Sequence, residues 1–407
     1  SWSRRASVPV LILNCKIGGL AILRTLGVLG VPLYAVEADP RSHALSSRYC
    51  RGRFIHDYDE EHPEEYLGHV LKIGERLGGR PILIPTSDEL AVFVAAYSEP
   101  LSRRFSFPRN DLAVVRQLIS KKGMYELVTR HGVPTPCTLF PENLAEVRAY
   151  AEGAKFPVML KGIHGNRLLA RTGKKMVIAS SPEELLSSYE RLEDPGRPDL
   201  MIQEYIPGSD DQIYIFNGYF NEDSNCLAAF TGHKIRQYPI HVGCASLGVC
   251  RWNQAVADKT VRLMKAIGYK GILDIGYRWD LRDGRYKVLD INPRVGQAFR
   301  LFVSKDGTDV VRALYRDLTG ETIGRIVPRD GRRWVIEDYD IESSMDYFRE
   351  GTLRFLPWLR SFKGLEEGAW FSWKDPVPFI RMLFALLKKM AKWTIKPLRR
   401  SDATSGS

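Results

Sequence analysis

A chain of 407 residues, 44% of them apolar and 26% charged, is long enough for two or three domains with buried cores. This is the composition of a globular protein, and no apolar run reaches the roughly 18 residues that a membrane-spanning helix needs. Residues 376–400 carry seven Lys and Arg residues and no acid, so most of the net charge of +11 lies there. The remaining body is only mildly basic, which argues against a nucleic-acid-binding core.

The N-terminal residues show a β-α-β pattern. Residues 8–13 form an apolar strand, Gly18-Gly19 leads into a helix reaching about Leu29, and further strands are predicted at 31–37 and 81–85. Strands this apolar are typical of a parallel sheet covered on both faces. The glycine turn lacks the spaced Gly-x-Gly-x-x-Gly fingerprint, so an NAD site is not predicted.

A second feature is the polar run that follows a short strand at 287–289. Asp290, Asn292 and Arg294 alternate with other residues, and residues two apart on a strand share a face. One face therefore presents a carboxylate, a carboxamide and a guanidinium in a row. Oxygen ligands followed by a cation suit Mg²⁺ bound to phosphate, because Mg²⁺ takes few protein oxygens and lets a nucleotide supply others. The alternative is an edge strand with a solvated polar face.

The run at 290–294 resembles the Glu-x-Asn-x-Arg signature of the ATP-grasp superfamily, with Asp in place of Glu. Other segments resemble that superfamily in the expected order, and together they cover about residues 115 to 320. They are 120–127 with 132–136, 156–162, and 201–208. The resemblance is closest to the carboxylate–amine ligase-like branch, which includes D-aspartate ligases and carbamoyl-phosphate-synthase-like proteins.

The resemblance implies an ATP site with two lysines on the phosphates. Lys161 follows an apolar strand and would bind phosphate as a mobile point charge, because a buried unpaired ammonium is costly. Lys121 takes the place of the other family lysine, with a solvated surface lysine as the alternative. The loop at 162–171 would normally close over the phosphates, but here it is poor in glycine.

The segment at 201–208 resembles the hinge that holds adenine. The resemblance implies that its backbone groups contact the adenine edge, and that an acid seven or eight residues past Gln203 accepts hydrogen bonds from the ribose hydroxyls. The residues implied are Gln203, Glu204, Tyr205 and Ile206 for adenine and Asp211, ahead of its neighbour Asp210, for ribose. Both acids also fit a simple turn beside Gly208.

Metal binding calls for a second carboxylate on the strand next to Asp290. Many relatives carry an acid at the position of Gly276, whereas this sequence offers Asp274, two residues earlier and on the same face. We predict that Asp274, Asp290 and Asn292 bind Mg²⁺, with Mn²⁺ as a substitute. If Asp274 falls short, the site rests on Asp290 and Asn292 alone.

Lys234 and Arg236 share one face of a strand at 231–239, positioned to hold anionic oxygens. The resemblance implies that this strand supplies a cation near the γ-phosphate and the acyl substrate. The segment 241–248 consists mainly of small residues, which makes it flexible, as expected of a substrate loop.

The implied reaction is ATP-dependent ligation that releases ADP and phosphate. A carboxylate would attack the γ-phosphate to form an acyl phosphate, and an amine would then displace phosphate. In this scheme Lys121, Lys161 and Arg236 neutralise the phosphates, and Arg294 stabilises the acyl phosphate and the tetrahedral state. Two alternatives remain: a nucleotide-binding regulatory or scaffold protein that has lost catalysis, and carboxylase- or carbamoyl-phosphate-type chemistry.

The predicted fold class is α/β, with a parallel-sheet pre-ATP-grasp domain followed by an ATP-grasp domain whose two α+β subdomains clasp ATP. A pre-ATP-grasp domain often contributes to substrate binding at its strand ends, where residues 86–89 lie; the alternative is a capped helix start at Ser87 or Asp88. The predicted boundaries are 1–114 and 115–322 for these domains, with a lid at about 137–203, then an aromatic-rich extension at 323–374 and a tail at 375–407.

The tail is predicted to contain a basic amphipathic helix between Asp375-Pro376 and Pro397. Its apolar side holds Phe379, Leu383, Leu386, Met390 and Trp393, and its basic side holds Arg381, Lys388, Lys392 and Lys396. Such a helix either lies on an anionic membrane surface or docks on the protein's own body.

The partners predicted are a carboxylate and an amine, either small molecules or lipid-linked compounds, and no nucleic acid; a homodimer is left open. The six scattered cysteines show no metal-ligand spacing and indicate a reduced setting. We therefore expect a cytoplasmic protein, and a peripheral one on the cytoplasmic face of the membrane if the tail is interfacial.

Overall fold

The computed structural model describes residues 8–163, 165–174, 176–194 and 196–395 of the chain. The chain folds into two compact units, each assembled from separate stretches of sequence. The first unit contains the chain through Phe107, residues 234–251 and the chain from Val295 onward, and the second contains residues 108–233 and 252–294. Within the described residues, no helix combines the length and apolar character needed to cross a bilayer.

The first unit contains a four-stranded parallel sheet. Its strands are β1 (Val10–Leu13), β2 (Leu33–Glu37), β3 (Cys50–Ile55) and β4 (Ile82–Pro85), and its helices are α1 (Ile17–Gly27), α2 (Pro63–Leu77), α3 (Asp88–Ala96) and α4 (Ser98–Ser102). The order is β3-β2-β1-β4, and all neighbouring strands are parallel. All four residues of β1 are buried, because a parallel sheet is covered on both faces. The predicted parallel N-terminal sheet is therefore confirmed.

The residues that follow β4 start a helix. The Ser87 side chain accepts a hydrogen bond from the Leu90 amide at 3.4 Å, which caps α3. The Thr86 hydroxyl donates to the carbonyl of Leu13 at 3.2 Å and so holds this end of β4 against β1. The helix-start alternative is thus confirmed at Ser87.

The second unit begins with two helices and a four-stranded antiparallel sheet. The elements are α5 (Leu112–Ile119), α6 (Lys121–Arg130), β5 (Thr138–Leu139), α7 (Leu144–Gly153), β6 (Val158–Gly162), α8 (Gly165–Thr172), β7 (Met176–Ala179), α9 (Pro182–Leu192) and β8 (Leu200–Glu204). The strand order is β5-β8-β6-β7. Leu160, Leu185 and Ile202 lie in the core between this sheet and its helices. Much of the glycine-poor segment after Lys161 is helical, as α8.

A second antiparallel sheet of the same unit positions the candidate ligands. The next elements of the chain are β9 (Ile213–Phe220), β10 (Cys226–Tyr238), β11 (Cys244–Cys250), α10 (Gln254–Ala266), β12 (Gly271–Asp280) and β13 (Arg285–Asn292). In this unit the strand order is β13-β12-β9-β10. Phe216, Met264 and Ile275 belong to the buried core that supports the sheet.

The first unit resumes at residue 234 of β10 and includes β11. Its last elements are α11 (Val310–Leu318), β14 (Arg333–Val335), α12 (Glu337–Arg349), α13 (Phe355–Arg360), β15 (Leu365–Gly368) and α14 (Val377–Ile395). Strand β14 pairs antiparallel with β11 and parallel with β15. Arg300 donates to the carboxylates of Asp309 at 2.6 Å and Glu367 at 2.7 Å, so buried ion pairs fix part of the aromatic-rich extension within this unit.

The predicted C-terminal helix is present as α14. Asp375, predicted as its N-cap, lies buried just before it, and its carboxylate accepts hydrogen bonds from Arg24 at 3.0 Å, Ser47 at 2.7 Å and the Arg48 amide at 2.9 Å. The helix packs against α12 and a turn at 43–46. Leu386, on the predicted apolar side of the helix, is buried, as expected of a helix docked on the protein's own body. Pro397 and the basic residues from Lys396 onward lie outside the described residues.

Candidate active site

The hairpin of β12 and β13 brings the three predicted metal ligands onto one face. The antiparallel register sets Asp274 opposite Asn292 and Gly276 opposite Asp290. Directly opposed residues of an antiparallel pair project to the same side. The intervening residues Leu273, Ile275 and Ile291 are buried in the core of the second unit. The alternation places polar groups on one face because the apolar residues occupy the other.

Short contacts connect these side chains. The Asn292 side-chain amide donates to the Asp290 carboxylate at 3.2 Å and to the Asp274 carbonyl at 3.4 Å. The Arg294 guanidinium donates to the Asn292 side-chain oxygen at 3.3 Å. Arg294 thus extends the row of ligands with a cation directly beyond the strand.

Gly276 explains how Asp290, one methylene shorter than the usual Glu, is accommodated. A Cβ atom added at Gly276 would lie 2.2 Å from Oδ1 of Asp290, far inside van der Waals contact. The Asp290 carboxylate therefore occupies the space above Gly276. An acid at both positions would require the Asp290 side chain to move.

The donor set fits Mg²⁺ when phosphate oxygens complete it. Two carboxylates and one carboxamide oxygen are hard ligands, and Mg²⁺ commonly takes one or two carboxylates together with phosphates. No group of three or more His, Cys, Asp or Glu side chains suitable for a metal occurs among the described residues. A cage made of protein groups alone, as expected for a structural metal, is thus not found in that part of the chain.

Lys161 has a polar side-chain partner in the same unit. Its ammonium donates to the Gln203 side-chain oxygen at 2.9 Å, and Gln203 in turn donates to the Thr138 hydroxyl at 3.0 Å. Burial and the neighbouring Lys121 ammonium lower the pKa of Lys161 to about 8, and the Asp290 carboxylate opposes this shift.

The structure also distinguishes Lys121 from its neighbour. The Lys122 ammonium lies 5.9 Å from the centre of the Phe140 ring, in a cation–π contact. Lys121 is the first residue of α6, and its ammonium is one of the charges that lower the pKa of Lys161.

The predicted adenine hinge is held by a network of ion pairs. The Glu204 carboxylate accepts hydrogen bonds from Lys287 at 2.8 Å, from Arg282 at 2.9 Å and from the Cys137 amide at 2.9 Å. Burial would raise the pKa of Glu204, but these donors lower it below its usual value. Asp280 accepts from the same two side chains, Lys287 and Arg282. The Glu204 side chain is thus a structural anchor for the hinge.

Backbone groups after the hinge are oriented by Arg278. Its guanidinium donates to the carbonyls of Ile206 at 3.1 Å and Gly208 at 2.6 Å. The Tyr205 amide donates to the Pro157 carbonyl at 3.4 Å. Asp211 is exposed in a 3-10 turn and accepts a hydrogen bond from the Ser209 hydroxyl. This placement is compatible with both readings of Asp211, as a ribose contact and as a turn residue.

Lys234 and Arg236 lie in the first unit, where Arg236 is buried. Its guanidinium donates to both oxygens of Asp340, at 2.8 and 2.7 Å, and to the Ser361 hydroxyl at 2.7 Å. Lys234 donates to the Gly243 carbonyl at 2.8 Å and to the Gln237 side chain at 3.1 Å. Arg236 thus differs from the phosphate-facing cation predicted from the sequence, because a bidentate carboxylate already satisfies its fork of donors.

Several contributors to this region were not predicted from the sequence. Lys287, Arg278 and the side chain of Gln203 orient the groups that a nucleotide would contact. The sequence position of Lys287 could have indicated its role, because it lies in an apolar strand, where a charge needs a buried partner. The pairing of Arg236 could not have been predicted in this way, because Asp340 is 104 residues away in the sequence.

The chain combines a helix that begins with Lys121, an antiparallel sheet that carries Lys161, and a second antiparallel sheet that ends in an Asp-x-Asn-x-Arg hairpin, and this is the ATP-grasp architecture. The predicted fold class and family resemblance are confirmed. The chain is 26% identical to D-aspartate ligase of Enterococcus faecium over 245 residues, which cover 58% of each protein. No family model matches the chain.

Solved structures share the fold at low sequence identity. The biotin carboxylase domain dimer of Hydrogenobacter thermophilus 2-oxoglutarate carboxylase, in complex with MgADP, ADP and bicarbonate, superposes with a TM-score of 0.61 at 17% identity, over 81% of this chain and 74% of that one. L-amino acid ligase from Bacillus licheniformis superposes with a TM-score of 0.60 at 14% identity, over 80% and 78% of the two chains. This chain matches less than two thirds of the length of its curated relatives.

Proposed function

We propose that the protein is an ATP-dependent ligase that joins a carboxylate to an amine through an acyl phosphate and releases ADP and phosphate. The observation that carries the proposal is the hairpin face on which Asp274, Asp290 and Asn292 lie together, with Arg294 donating to Asn292. Metal-binding oxygens beside a guanidinium match the charges of a nucleotide triphosphate and its Mg²⁺. Similarity to a D-aspartate ligase supports ligation to an amine.

In this proposal the work of the protein is positioning and charge neutralisation. Asp274, Asp290 and Asn292 would hold Mg²⁺, which supplies charge compensation for the phosphates when bound. Lys161, oriented by Gln203, neutralises the phosphates together with Lys121. The remaining predicted contacts are Gln203, Glu204, Tyr205 and Ile206 at adenine, Asp211 at ribose, Lys234 at the acyl substrate and Arg294 at the transferred group.

Arg236 is assigned a supporting role in the proposed enzyme. It shares β10 with Lys234, and its bidentate bond to Asp340 fixes the strand on which Lys234 stands. An arginine held in this way stabilises local structure and is not free to follow a phosphate during the reaction.

The proposed activity is tested by ADP release on addition of paired carboxylates and amines. We expect ADP formation only when Mg²⁺, ATP and an accepted carboxylate are present, with a new amide product when the amine is added. Nucleotide binding without ADP release for any pair would favour the regulatory alternative. Bicarbonate-dependent ADP release without an amide product would favour the carboxylase-type alternative.

Asp274→Ala is expected to raise the Mg²⁺ concentration needed for half-maximal activity by about tenfold or more. The reason is that losing one ligand, or a group that supports a ligand, typically lowers metal affinity by about this factor. The measurement is the Mg²⁺ dependence of ADP release at saturating ATP. Asp223→Ala, an exposed acid on a turn of the same unit, is the matched control. An unchanged Mg²⁺ requirement in Asp274→Ala would leave Asp290 and Asn292 as the only protein ligands of the proposed site.

Nucleotide binding is expected to take up a proton near pH 8.5, about half a unit above the Lys161 pKa of about 8. At this pH the Lys161 side chain of the free protein is mostly neutral, because the pH lies above its pKa. Phosphate favours the ammonium form, so its pKa rises on binding and affinity falls as pH increases above 8. Calorimetry in buffers of different ionisation enthalpy counts the proton. Lys161→Arg, charged at every accessible pH, should lose this uptake; equal uptake in both proteins would contradict the assignment.

We also propose that the protein associates peripherally with an anionic membrane surface through residues 376–400. The absence of acids and the seven basic residues in this segment support the proposal, because each basic residue near an anionic leaflet adds about 1 kcal/mol. A lipid-linked carboxylate or amine would then be within reach of the proposed ligase. A homodimer remains a prediction.

A further inference from the structure

Helix α14 has an exposed apolar strip that differs from the apolar side predicted from the sequence. We define the outer strip as Val377, Ile380, Phe384 and Leu387, which recur at three- and four-residue steps and therefore share one face. Their exposed fractions lie between 46% and 62%. Adjacent apolar side chains this exposed mark an interaction surface more often than an ordinary solvated face.

The opposite face of α14 already has a partner in the protein itself. Met382 and Leu386 are buried at 3% and 7% exposure. Lys389 donates to both carboxylate oxygens of Glu342 on α12 at 2.7 Å. The buried Asp375, held by Arg24, fixes the start of the helix. Docking on the body and an outward apolar strip therefore occur together in one helix.

The charges beside the outer strip identify the kind of surface that it fits. Arg381 and Lys388 are exposed. Arg381 lies one turn before Phe384 and Lys388 lies one turn after it, so both are neighbours of the outer strip on the helix surface. The whole stretch 376–400 contains no acid. An apolar strip on a helix that carries cations and no acid is complementary to a bilayer with anionic headgroups.

The same charges disfavour a second copy of the chain as the occupant. Two outer strips packed about a twofold axis would each present Arg381 and Lys388 to the partner's equivalent strip. No acid within the segment could compensate these cations, and like charges in a contact are destabilising.

We propose that the outer strip of docked α14 inserts into the headgroup boundary of an anionic bilayer, while the inner face stays on the protein. This inference rests on the membrane association proposed above and names the residues that make it. The helix does not need to leave the body in order to bind, so α12 and the strands that it supports keep their positions on the membrane.

The test uses the full-length chain and sedimentation with two kinds of vesicle, phosphatidylcholine alone and phosphatidylcholine mixed with phosphatidylglycerol. Phe384→Asp is expected to reduce partition onto the anionic vesicles by about tenfold or more, because one aromatic side chain no longer enters lipid. Ile55→Asp is the matched control, since Ile55 is 44% exposed on an edge strand far from α14 in the sequence and the charge change is the same. Lys388→Gln should weaken binding to the anionic vesicles only.

The outcomes separate the two levels of the proposal. Wild-type protein that stays in the supernatant at low salt would overturn membrane association itself. If the wild-type protein pellets and Phe384→Asp binds the vesicles equally well, the proposal that the outer strip makes the membrane contact is overturned. A changed oligomeric state of Phe384→Asp in light scattering, with unchanged vesicle binding, would identify a second copy as the occupant and also overturn it. ADP release by Phe384→Asp with soluble substrates reports on the ligase proposal independently.

Discussion

Asp290→Asn is expected to lower the rate of ADP formation by about a hundredfold to a thousandfold, because a metal-bound charge contributes several kcal/mol to a phosphoryl-transfer transition state. The substitution keeps the size of the side chain and its place above Gly276, so the hairpin should fold normally. Nucleotide affinity should change little, since the hinge at Glu204 and its anchors lie on other strand ends. The measurements are steady-state ADP release and nucleotide binding on the same preparation.

A second signature separates a lost charge from a general disturbance. The Asp290 carboxylate raises the pKa of Lys161, so its removal should lower that pKa further. Proton uptake on nucleotide binding should then begin at a lower pH than in the wild type. Asp223→Asn removes an exposed acid of the same unit and should alter neither turnover nor proton uptake. Full turnover in Asp290→Asn would refute the metal assignment.

The parallel sheet could be predicted because its strands are short apolar runs. The sequence Val-Leu-Ile-Leu of β1 is buried at every position, which is the pattern that a doubly covered strand imposes. Strand β3 was not predicted, since Arg51 and Arg53 interrupt its apolar residues. It lies at the edge of the sheet, where alternate side chains face solvent and the apolar signal is halved.

The ligand face of the hairpin was predictable for a different reason. Asp290 and Asn292 are two residues apart, and residues two apart share a face in any strand. Antiparallel pairing with the neighbouring strand then places Asp274 on the same face, opposite Asn292. The role of Gly276 was not predictable, because it depends on the rotamer of a side chain across the hairpin. Sequence periodicity specifies which side chains share a face, whereas contacts between side chains depend on how the strands pack.

The same limit applies to the cations. Lys161 was predicted to bind phosphate because it lies at the end of an apolar strand, where a charge requires a ligand or a partner. Arg236 had a similar sequence context on β10, yet it pairs with Asp340 on α12. A strand pattern indicates that a cation is needed on one face, but the identity of its counter-charge is set by tertiary packing.

Helix α14 shows how a periodic pattern can hold two faces. Its apolar residues are numerous enough to form an inner face, with Leu386, and an outer strip, with Phe384. The spacing of the apolar residues predicted one apolar side, whereas the structure has a buried face and an exposed one. The buried bond between Asp375 and Arg24, which fixes the rotation of the helix, joins residues 351 positions apart.

Arg294→Lys is expected to lower turnover by about a hundredfold, a loss typical of removing one preorganised donor to a developing charge. Lysine keeps the positive charge but cannot present a planar pair of donors to the oxygens of an acyl phosphate. Nucleotide affinity should remain nearly normal, because the two lysines that would bind the phosphates lie elsewhere. Turnover and nucleotide affinity are therefore measured together, and the prediction is a change in the first alone.

Two controls make the Arg294 result specific. Arg285→Lys, at the exposed start of β13, the strand that Arg294 follows, changes an arginine in the same way and should leave turnover intact. Added guanidinium should restore part of the activity of an Arg294→Ala variant if the planar fork is what the reaction needs. Weaker nucleotide binding with unchanged turnover in Arg294→Lys would instead make Arg294 a ground-state phosphate ligand. In that case stabilisation of the acyl phosphate would have to come from another cation.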